Sequence, residues 1–240
     1  VTCALLVASQ CRYEGISSDI AISLAENCIE ALRSPKKVLN YYAAITLGSL
    51  LTDGPKDDLH EQFAEDVGEI LNMLITIDQE FYCSEILDTI TAFVDVFGED
   101  IKPVANDLGI HLVNQLQTNS NNQMADQTVE HCVQFLLDIQ NDYTILFPAF
   151  VKALETAKET EVLLNCITMM VAKSEVFIPH SWLLIDYIIS NNDITIDDVQ
   201  ILLEHIVSRD PQPQEHEEYI SKMMGYLLQN ARNEETEAIT

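Results

Sequence analysis

Residues 85–116 read EILDTITAFVDVFGEDIKPVANDLGIHLVNQL, and this stretch decides the fold. Its apolar residues recur every three or four positions, first at Ile86, Ile90, Phe93, Val94 and Phe97, then at Ile101, Val104, Leu108, Leu112 and Leu116. This spacing places each set on one face of an amphipathic helix. An acidic turn separates the two sets, and Pro103 lies near the start of the second, where its missing N–H has no helical partner. The stretch therefore predicts two helices joined by a short turn.

The same apolar spacing runs through most of the chain and predicts about twelve helices. Strict alternation of apolar and polar residues is rare, so strands are not expected. Gly and Pro number only seven each, which is sparse for an all-β chain. The predicted helices span residues 3–13, 18–33, 37–52, 57–76, 79–97, 100–117, 123–140, 143–156, 159–174, 180–190, 196–208 and 214–231.

The predicted helices fall into pairs that repeat along the chain. The first helices of successive pairs begin near residues 37, 79, 123, 159 and 196, a spacing of about 40 residues that is typical of HEAT and armadillo repeats. Such a pair buries its apolar face only against neighbouring pairs. We therefore predict an all-α fold, an α-solenoid of antiparallel HEAT-type helix pairs with about six repeats. A globular helical bundle is the alternative.

The predicted array is continuous over residues 1–240, and its acidic end, residues 232–240, is expected to fray. The chain begins at Val1 without a methionine, and its first apolar run already has helical spacing. We interpret it as a fragment of a longer chain.

Acidic residues outnumber basic residues by 39 to 12, which gives a formal net charge of −27. A surface with this charge repels nucleic-acid phosphates and anionic lipids and attracts basic proteins. No apolar stretch in the sequence has the length of a membrane span. We therefore expect neither nucleic acid nor membrane as a partner.

The six cysteines form no CxxC pair, which favours free thiols in a reducing, intracellular compartment.

Common catalytic and cofactor-binding motifs are absent from the sequence, including GxGxxG, GxSxG, HExxH and the phosphate-binding loop. His131 and Cys132 are adjacent, and neighbouring helical residues point in different directions, so the two cannot share a zinc ion. His111 is a lone histidine on an amphipathic helix. Trp182 lies among apolar residues and is interpreted as a core residue rather than a binding hot spot. We expect no enzymatic activity, no metal and no cofactor.

The sharpest local feature is an acidic window from residue 53 to residue 107, which holds fifteen carboxylates and two lysines. Carboxylates at 57, 61 and 65 lie one helical turn apart, and like charges at this spacing disfavour an isolated helix. A docking surface for Lys- and Arg-rich cargo would account for them, and a solvated face that confers solubility is the alternative. The candidate basic-cargo surface consists of Asp57, Asp58, Glu61, Glu65, Asp66, Glu69, Glu99, Asp100 and Asp107.

Three stretches resemble the importin-beta superfamily of nuclear transport receptors. The first, residues 35–51, reads PKKVLNYYAAITLGSLL and is similar to the first helix of a HEAT repeat in that family. Residues 85–116 have the helix, acidic turn and Pro-started helix seen in the large importins. The third, residues 163–189, reads LLNCITMMVAKSEVFIPHSWLLIDYII and resembles the branch of importins seven and eight. The importin-alpha export receptor has a similar middle region.

The resemblance implies a receptor that shuttles between nucleus and cytoplasm through nuclear pores. It implies basic protein cargo, such as ribosomal proteins or histones, and transport in the import direction. It also implies contacts with the GTPase Ran, mainly through repeats outside this fragment, and with phenylalanine–glycine (FG) nucleoporins. Two other functions are open: a HEAT-repeat scaffold of a stable complex without a link to Ran, and an all-helical enzyme.

Overall fold

The computed structural model describes residues 2–81, 83–118, 123–139, 143–156, 160–190, 196–210 and 213–237. Every regular element in these ranges is a helix, and none is a strand. The chain divides into two compact units, unit 1 (Val1–Asp142) and unit 2 (Tyr143–Thr240). The predicted all-α class is therefore confirmed.

Among its described residues, unit 1 consists of α-helices and one 3-10 helix, and most of the α-helices are amphipathic. Its α-helices are α1 (Thr2–Ala8), α2 (Ser18–Leu32), α3 (Lys37–Asp53), α4 (Lys56–Phe63), α5 (Val67–Phe81), α6 (Ser84–Phe97), α7 (Ala105–Thr118) and α8 (Gln123–Ile139). A 3-10 helix, Gly98–Val104, joins α6 to α7 and contains the predicted helix-starting Pro103.

The helices of unit 1 pack in two layers. In one layer α3 packs against α6, and α6 packs against α8. In the other layer α2 contacts α5, and α5 contacts α7. The pairs α2–α3, α5–α6 and α7–α8 connect the layers. The helices α3, α6 and α8, which were predicted to be the first of their pairs, are therefore the second helices. The short helix α4 packs on α2, α3 and α6. Each pair thus buries its apolar face against the next pair along the chain, which is the packing of an α-solenoid.

Helices α3 and α6 lie close together at Gly48 and Thr89. A Cβ atom at position 48 would lie 3.1 Å from the Cα atom of Thr89, closer than an ordinary van der Waals contact. The Thr89 hydroxyl lies 3.3 Å from the carbonyl oxygen of Ala44 and 3.0 Å from that of Glu85. Glycine at position 48 therefore allows helices of two successive pairs to touch through their backbones.

Unit 2 is also built from stacked helices. They are α9 (Leu146–Leu154), α10 (Glu161–Lys173), α11 (Ile178–Ser181), α12 (Leu183–Ser190), α13 (Ile196–Arg209) and α14 (Glu217–Glu237). Helix α10 packs against α9 and α13, and α14 packs against α12 and α13. Helix α14 continues into the predicted tail, of which residues 238–240 lie outside the described residues.

Trp182 lies between α11 and α12 and is only 1% exposed. Its indole N–H donates a hydrogen bond to Asp210 Oδ2 at 3.0 Å, and its ring stacks on His216 with 5.0 Å between ring centroids. The interpretation of Trp182 as a core residue is confirmed.

Polar side chains join residues that lie about one repeat apart in the sequence. Examples are Arg33 with Glu69 at 2.8 Å and a separation of 36 residues, His60 with Asp100 at 2.9 Å and 40 residues, and Lys222 with Asp186 at 2.9 Å and 36 residues. These separations agree with the predicted spacing of about 40 residues. The solenoid class is confirmed, whereas a total of about six repeats stays a prediction.

The predicted helix boundaries between residues 57 and 97 are wrong. The predicted helix 57–76 is two helices, α4 and α5, which are separated by a turn at residues 64–66. Glu65 lies in this turn, so the predicted single helical row of carboxylates at 57, 61 and 65 is wrong. The predicted helix start at residue 79 falls inside α5, which ends at Phe81. The cause is Asp78: this polar residue is fully buried and continues the inner face of α5 rather than ending the helix.

Candidate functional site: an acidic surface on unit 1

All nine carboxylates of the candidate basic-cargo surface have exposed side chains. Helix α4 carries Asp57, Asp58 and Glu61, the following turn carries Glu65 and Asp66, α5 carries Glu69, the 3-10 helix carries Glu99 and Asp100, and α7 carries Asp107. A partner in solution can therefore reach every one of them.

Helix α4 presents its carboxylates because its other side is anchored in the core. Leu59 and Phe63 are 1% and 6% exposed. The ring of His60 stacks on that of Phe97 in α6, with 5.6 Å between ring centroids. Apolar residues at this spacing fix one side of the helix inward, so the acidic residues between them remain on the outer side.

Four of the nine carboxylates contact another side chain. Three of these partners lie outside the carboxylate's own helix, and the partner of Glu99 lies within the same 3-10 helix. Asp58 accepts a hydrogen bond from Ser18, Glu69 pairs with Arg33 at 2.8 Å, Glu99 pairs with Lys102 at 3.0 Å, and Asp100 pairs with His60 at 2.9 Å. Within the described ranges, no comparable contact involves the side chains of Asp57, Glu61, Glu65, Asp66 and Asp107. Exposed pairs of this kind contribute only about 0–1 kcal/mol each. Most of the negative charge is therefore available to a partner.

A cleft of about 360 Å³ lies beside α4. It is lined by Lys56, Asp57, His60, Asp95 and Val96. Asp95, whose Oδ1 lies 3.0 Å from His131 Nε2, is absent from the nine predicted residues although it belongs to the same surface. Asp95 follows Asp57 by about one repeat, and this spacing is the sequence signal that could have found it.

The structure groups some predicted residues and separates others. His60 lies next to two of the predicted residues. It contacts Asp100, and it lines the cleft together with Asp57. Glu69 lines a different, open groove of about 700 Å³ between α2, α3 and α5. Asp107 lies on α7, which packs against α5, α8 and the 3-10 helix. The best-defined part of the candidate surface is therefore α4 and the 3-10 helix beside it.

A buried carboxylate holds α5 and α7 together away from this surface. Asp78 Oδ2 lies 2.8 Å from His111 Nε2 and accepts a hydrogen bond from Gln115 Nε2 at 2.5 Å. All three side chains are at least 97% buried. His111 is therefore not a lone histidine: it belongs to an enclosed polar cluster that positions two helices.

The buried thiols of unit 1 are poorly suited to nucleophilic chemistry. Burial raises the pKa of Cys28 to about 12 and that of Cys132 to about 11. Both groups are protonated at neutral pH, and the thiolate is the reactive form.

Within the described ranges, no group of three His, Cys, Asp or Glu residues has a metal-binding arrangement. The absence of enzymatic activity stays a prediction.

In the described part of the chain, no single helix is long and apolar enough to cross a membrane. The bent pair formed by residues 161–173 and 175–181 meets the length and composition criteria only when its two helices, at 115° to each other, are taken together.

Fold and surface together define the class of protein: an all-α solenoid with an exposed acidic face. Comparison of the chain with protein-family models, with curated proteins and with solved structures gives no match. Membership of the importin-beta superfamily therefore stays a prediction from the sequence.

Proposed function

We propose that the chain is a segment of a nuclear transport receptor that binds basic protein cargo, in the import direction, through the acidic surface of unit 1. One observation carries the proposal: nine predicted carboxylates are all exposed between α4 and α7 of a chain with a net charge of −27. The sequence resemblance to large importins supports the transport role, and the solenoid packing supports a binding rather than a catalytic architecture.

The acidic surface favours fast, salt-sensitive association with Lys- and Arg-rich segments. Its field reaches beyond contact distance and steers a basic partner, and salt weakens this attraction over a Debye length of about 8 Å at physiological ionic strength. Because Leu59 and Phe63 anchor α4, Asp57 and Glu61 are presented without large rearrangement. Preorganisation of this kind lowers the entropic cost of binding.

The proposal includes Ran and FG nucleoporins as further partners, and shuttling between nucleus and cytoplasm as the setting. These parts rest on the sequence resemblance. In the resembled family Ran contacts mainly repeats outside this segment, so its effect on cargo is best measured with the intact protein.

Charge reversal tests the cargo surface directly. The triple variant Asp57→Lys, Glu61→Lys and Glu65→Lys should bind a Lys/Arg-rich histone peptide at least tenfold more weakly at low salt, which corresponds to about 1.4 kcal/mol. It should also flatten the dependence of log Kd on log salt. Fluorescence anisotropy at several salt concentrations measures both quantities.

A matched control separates local recognition from overall charge. Glu175→Lys, Glu204→Lys and Glu215→Lys reverse three exposed carboxylates of unit 2 and change the net charge equally. If both triple variants lose the same affinity, the peptide responds to net charge alone and the proposed surface is wrong. If only the variant at Asp57, Glu61 and Glu65 loses affinity, the surface is supported.

Ran distinguishes a transport receptor from a scaffold on the same fold. In a pulldown with the intact protein, Ran loaded with a nonhydrolysable GTP analogue should release imported cargo. Strengthened binding would instead indicate export and contradict the proposed direction. Cargo binding that does not respond to Ran would leave the scaffold function.

A further inference from the structure

The turn between α2 and α3 has an unusual sequence for this chain. Residues 33–37 read RSPKK and contain three of the twelve basic residues of a protein with net charge −27. Ser34–Pro35 is the only Ser–Pro or Thr–Pro dipeptide in the 240 residues. Proline-directed protein kinases require proline directly after the acceptor hydroxyl, and cyclin-dependent kinases also favour Lys or Arg three positions after it. Lys37 occupies that third position.

The structure places this motif where an enzyme can reach it. Helix α2 ends at Leu32 and α3 begins at Lys37, so the acceptor lies in the connecting turn. Pro35, Lys36 and Lys37 are exposed, and Ser34 is half-buried at the edge of the 700 Å³ groove. The groove leaves space for added atoms next to the Ser34 side chain.

The basic side chains of this turn form ion pairs with carboxylates of the next helix pair. Arg33 Nη2 lies 2.8 Å from Glu69 Oε1, and Lys37 Nζ lies 3.0 Å from Glu80 Oε1. The four side chains are 39–66% exposed, and ion pairs at such exposure are weak. A phosphate carries up to two charges and three acceptor oxygens, so it competes strongly with a single carboxylate for a neighbouring guanidinium or ammonium group.

We propose that Ser34 is a phosphorylation site for a proline-directed protein kinase and that the phosphate captures Arg33 and Lys37. In the reaction, Ser34 Oγ attacks the γ-phosphorus of ATP, the bond from that phosphorus to the bridging oxygen breaks, and ADP leaves. The hydroxyl proton passes to the catalytic aspartate of the kinase. The phosphate then draws both cations away from Glu69 and Glu80. Phosphorylation thereby removes two ion pairs between successive helix pairs and makes the groove more acidic.

The modification is tested with the full chain, ATP and a purified cyclin-dependent kinase. Intact mass and peptide mapping should show one added phosphoryl group, located on Ser34. Ser34→Ala and Pro35→Ala should each abolish it, Lys37→Gln should slow it, and the control Ser23→Ala, an exposed serine on α2, should leave it unchanged. Helix content by circular dichroism checks that each variant is folded. Failure of the kinase to modify the chain, or modification that survives Ser34→Ala, overturns the proposal.

Capture of the cations is tested by phosphorus NMR of the modified protein. A neighbouring cation stabilises the dianion, so the titration midpoint of the phosphate should be lower in the wild-type chain than in the Arg33→Gln variant, by roughly half a unit or more. Equal midpoints in the two proteins would overturn the proposed contact with Arg33.

Discussion

Replacing Asp78 tests whether the enclosed cluster of Asp78, His111 and Gln115 stabilises unit 1. The Asp78→Leu substitution removes an acceptor that lies 2.8 Å and 2.5 Å from two buried nitrogen atoms. A buried donor left without its partner costs about 1–3 kcal/mol. Two such losses, partly offset by removing a buried carboxylate, give an expected destabilisation of about 3 kcal/mol. This is a large share of a stability of about 5–15 kcal/mol.

The double variant Asp78→Leu and His111→Leu gives the prediction its sharpest form. Replacing both partners by apolar groups removes the unsatisfied nitrogen of His111 together with the carboxylate, and such replacements are often close to neutral. We therefore expect the double variant to be more stable than the single variant. It should remain about 1–3 kcal/mol less stable than the wild-type protein, because the buried Gln115 amide still loses its hydrogen bond to Asp78.

Urea unfolding can be followed separately in each unit. Pulsed labelling of Cys132, which is buried in α8, reports the opening of unit 1, and the fluorescence of the single tryptophan, Trp182, reports unit 2. The single variant should lower the urea midpoint of Cys132 labelling. A loss below about 1 kcal/mol, or a double variant that is less stable than the single one, would refute the assigned role of the cluster.

Further predictions follow from two glycines and from the thiols. Gly48→Ala should destabilise unit 1 by about 1–3 kcal/mol in urea unfolding, because its Cβ would press on the Thr89 backbone. Gly225→Ala should instead stabilise unit 2 by up to about 1 kcal/mol, since nothing lies within 4 Å of the added methyl group and alanine favours a helix; a loss of stability would contradict this. At pH 8, iodoacetamide should label the exposed Cys3 while Cys28 stays unmodified in peptide maps, and rapid labelling of Cys28 would show that it is not enclosed. Because the pKa of Cys28 is raised from 9.0 to about 12, the folded state holds its proton more tightly, so stability should fall as pH rises above 9.

Helical periodicity predicted the fold well because it depends on local spacing. The apolar residues of 85–116 fall in α6, the 3-10 helix and α7, and their spacing holds in the structure. The periodicity did not predict the boundary near Asp78, because a carboxylate normally marks an exposed position. Its burial depends on His111 and Gln115, which lie 33 and 37 residues away, and such pairing is set by the packing of two helices.

The candidate site was predictable in composition but not in arrangement. Exposure of the nine carboxylates follows from residue type, since charged side chains are rarely buried without a partner. Their partners depend on the register between successive helix pairs, which the sequence pattern does not specify. The stacking of His60 on Phe97 and the addition of Asp95 to the surface are consequences of that register.

Because α4 is short, binding of a ligand to this helix should be coupled to its local unfolding. Helices of eight residues are marginal in isolation, so α4 depends on Leu59, Phe63 and His60 for its persistence. Its backbone amides should therefore exchange with deuterium sooner than those of α3 and α6, through a local opening that leaves the rest of unit 1 folded. A molecule that binds only the ordered form of α4 would slow this exchange in proportion to its occupancy. The helix that carries Asp57, Asp58 and Glu61 would then report, amide by amide, whether a ligand is bound.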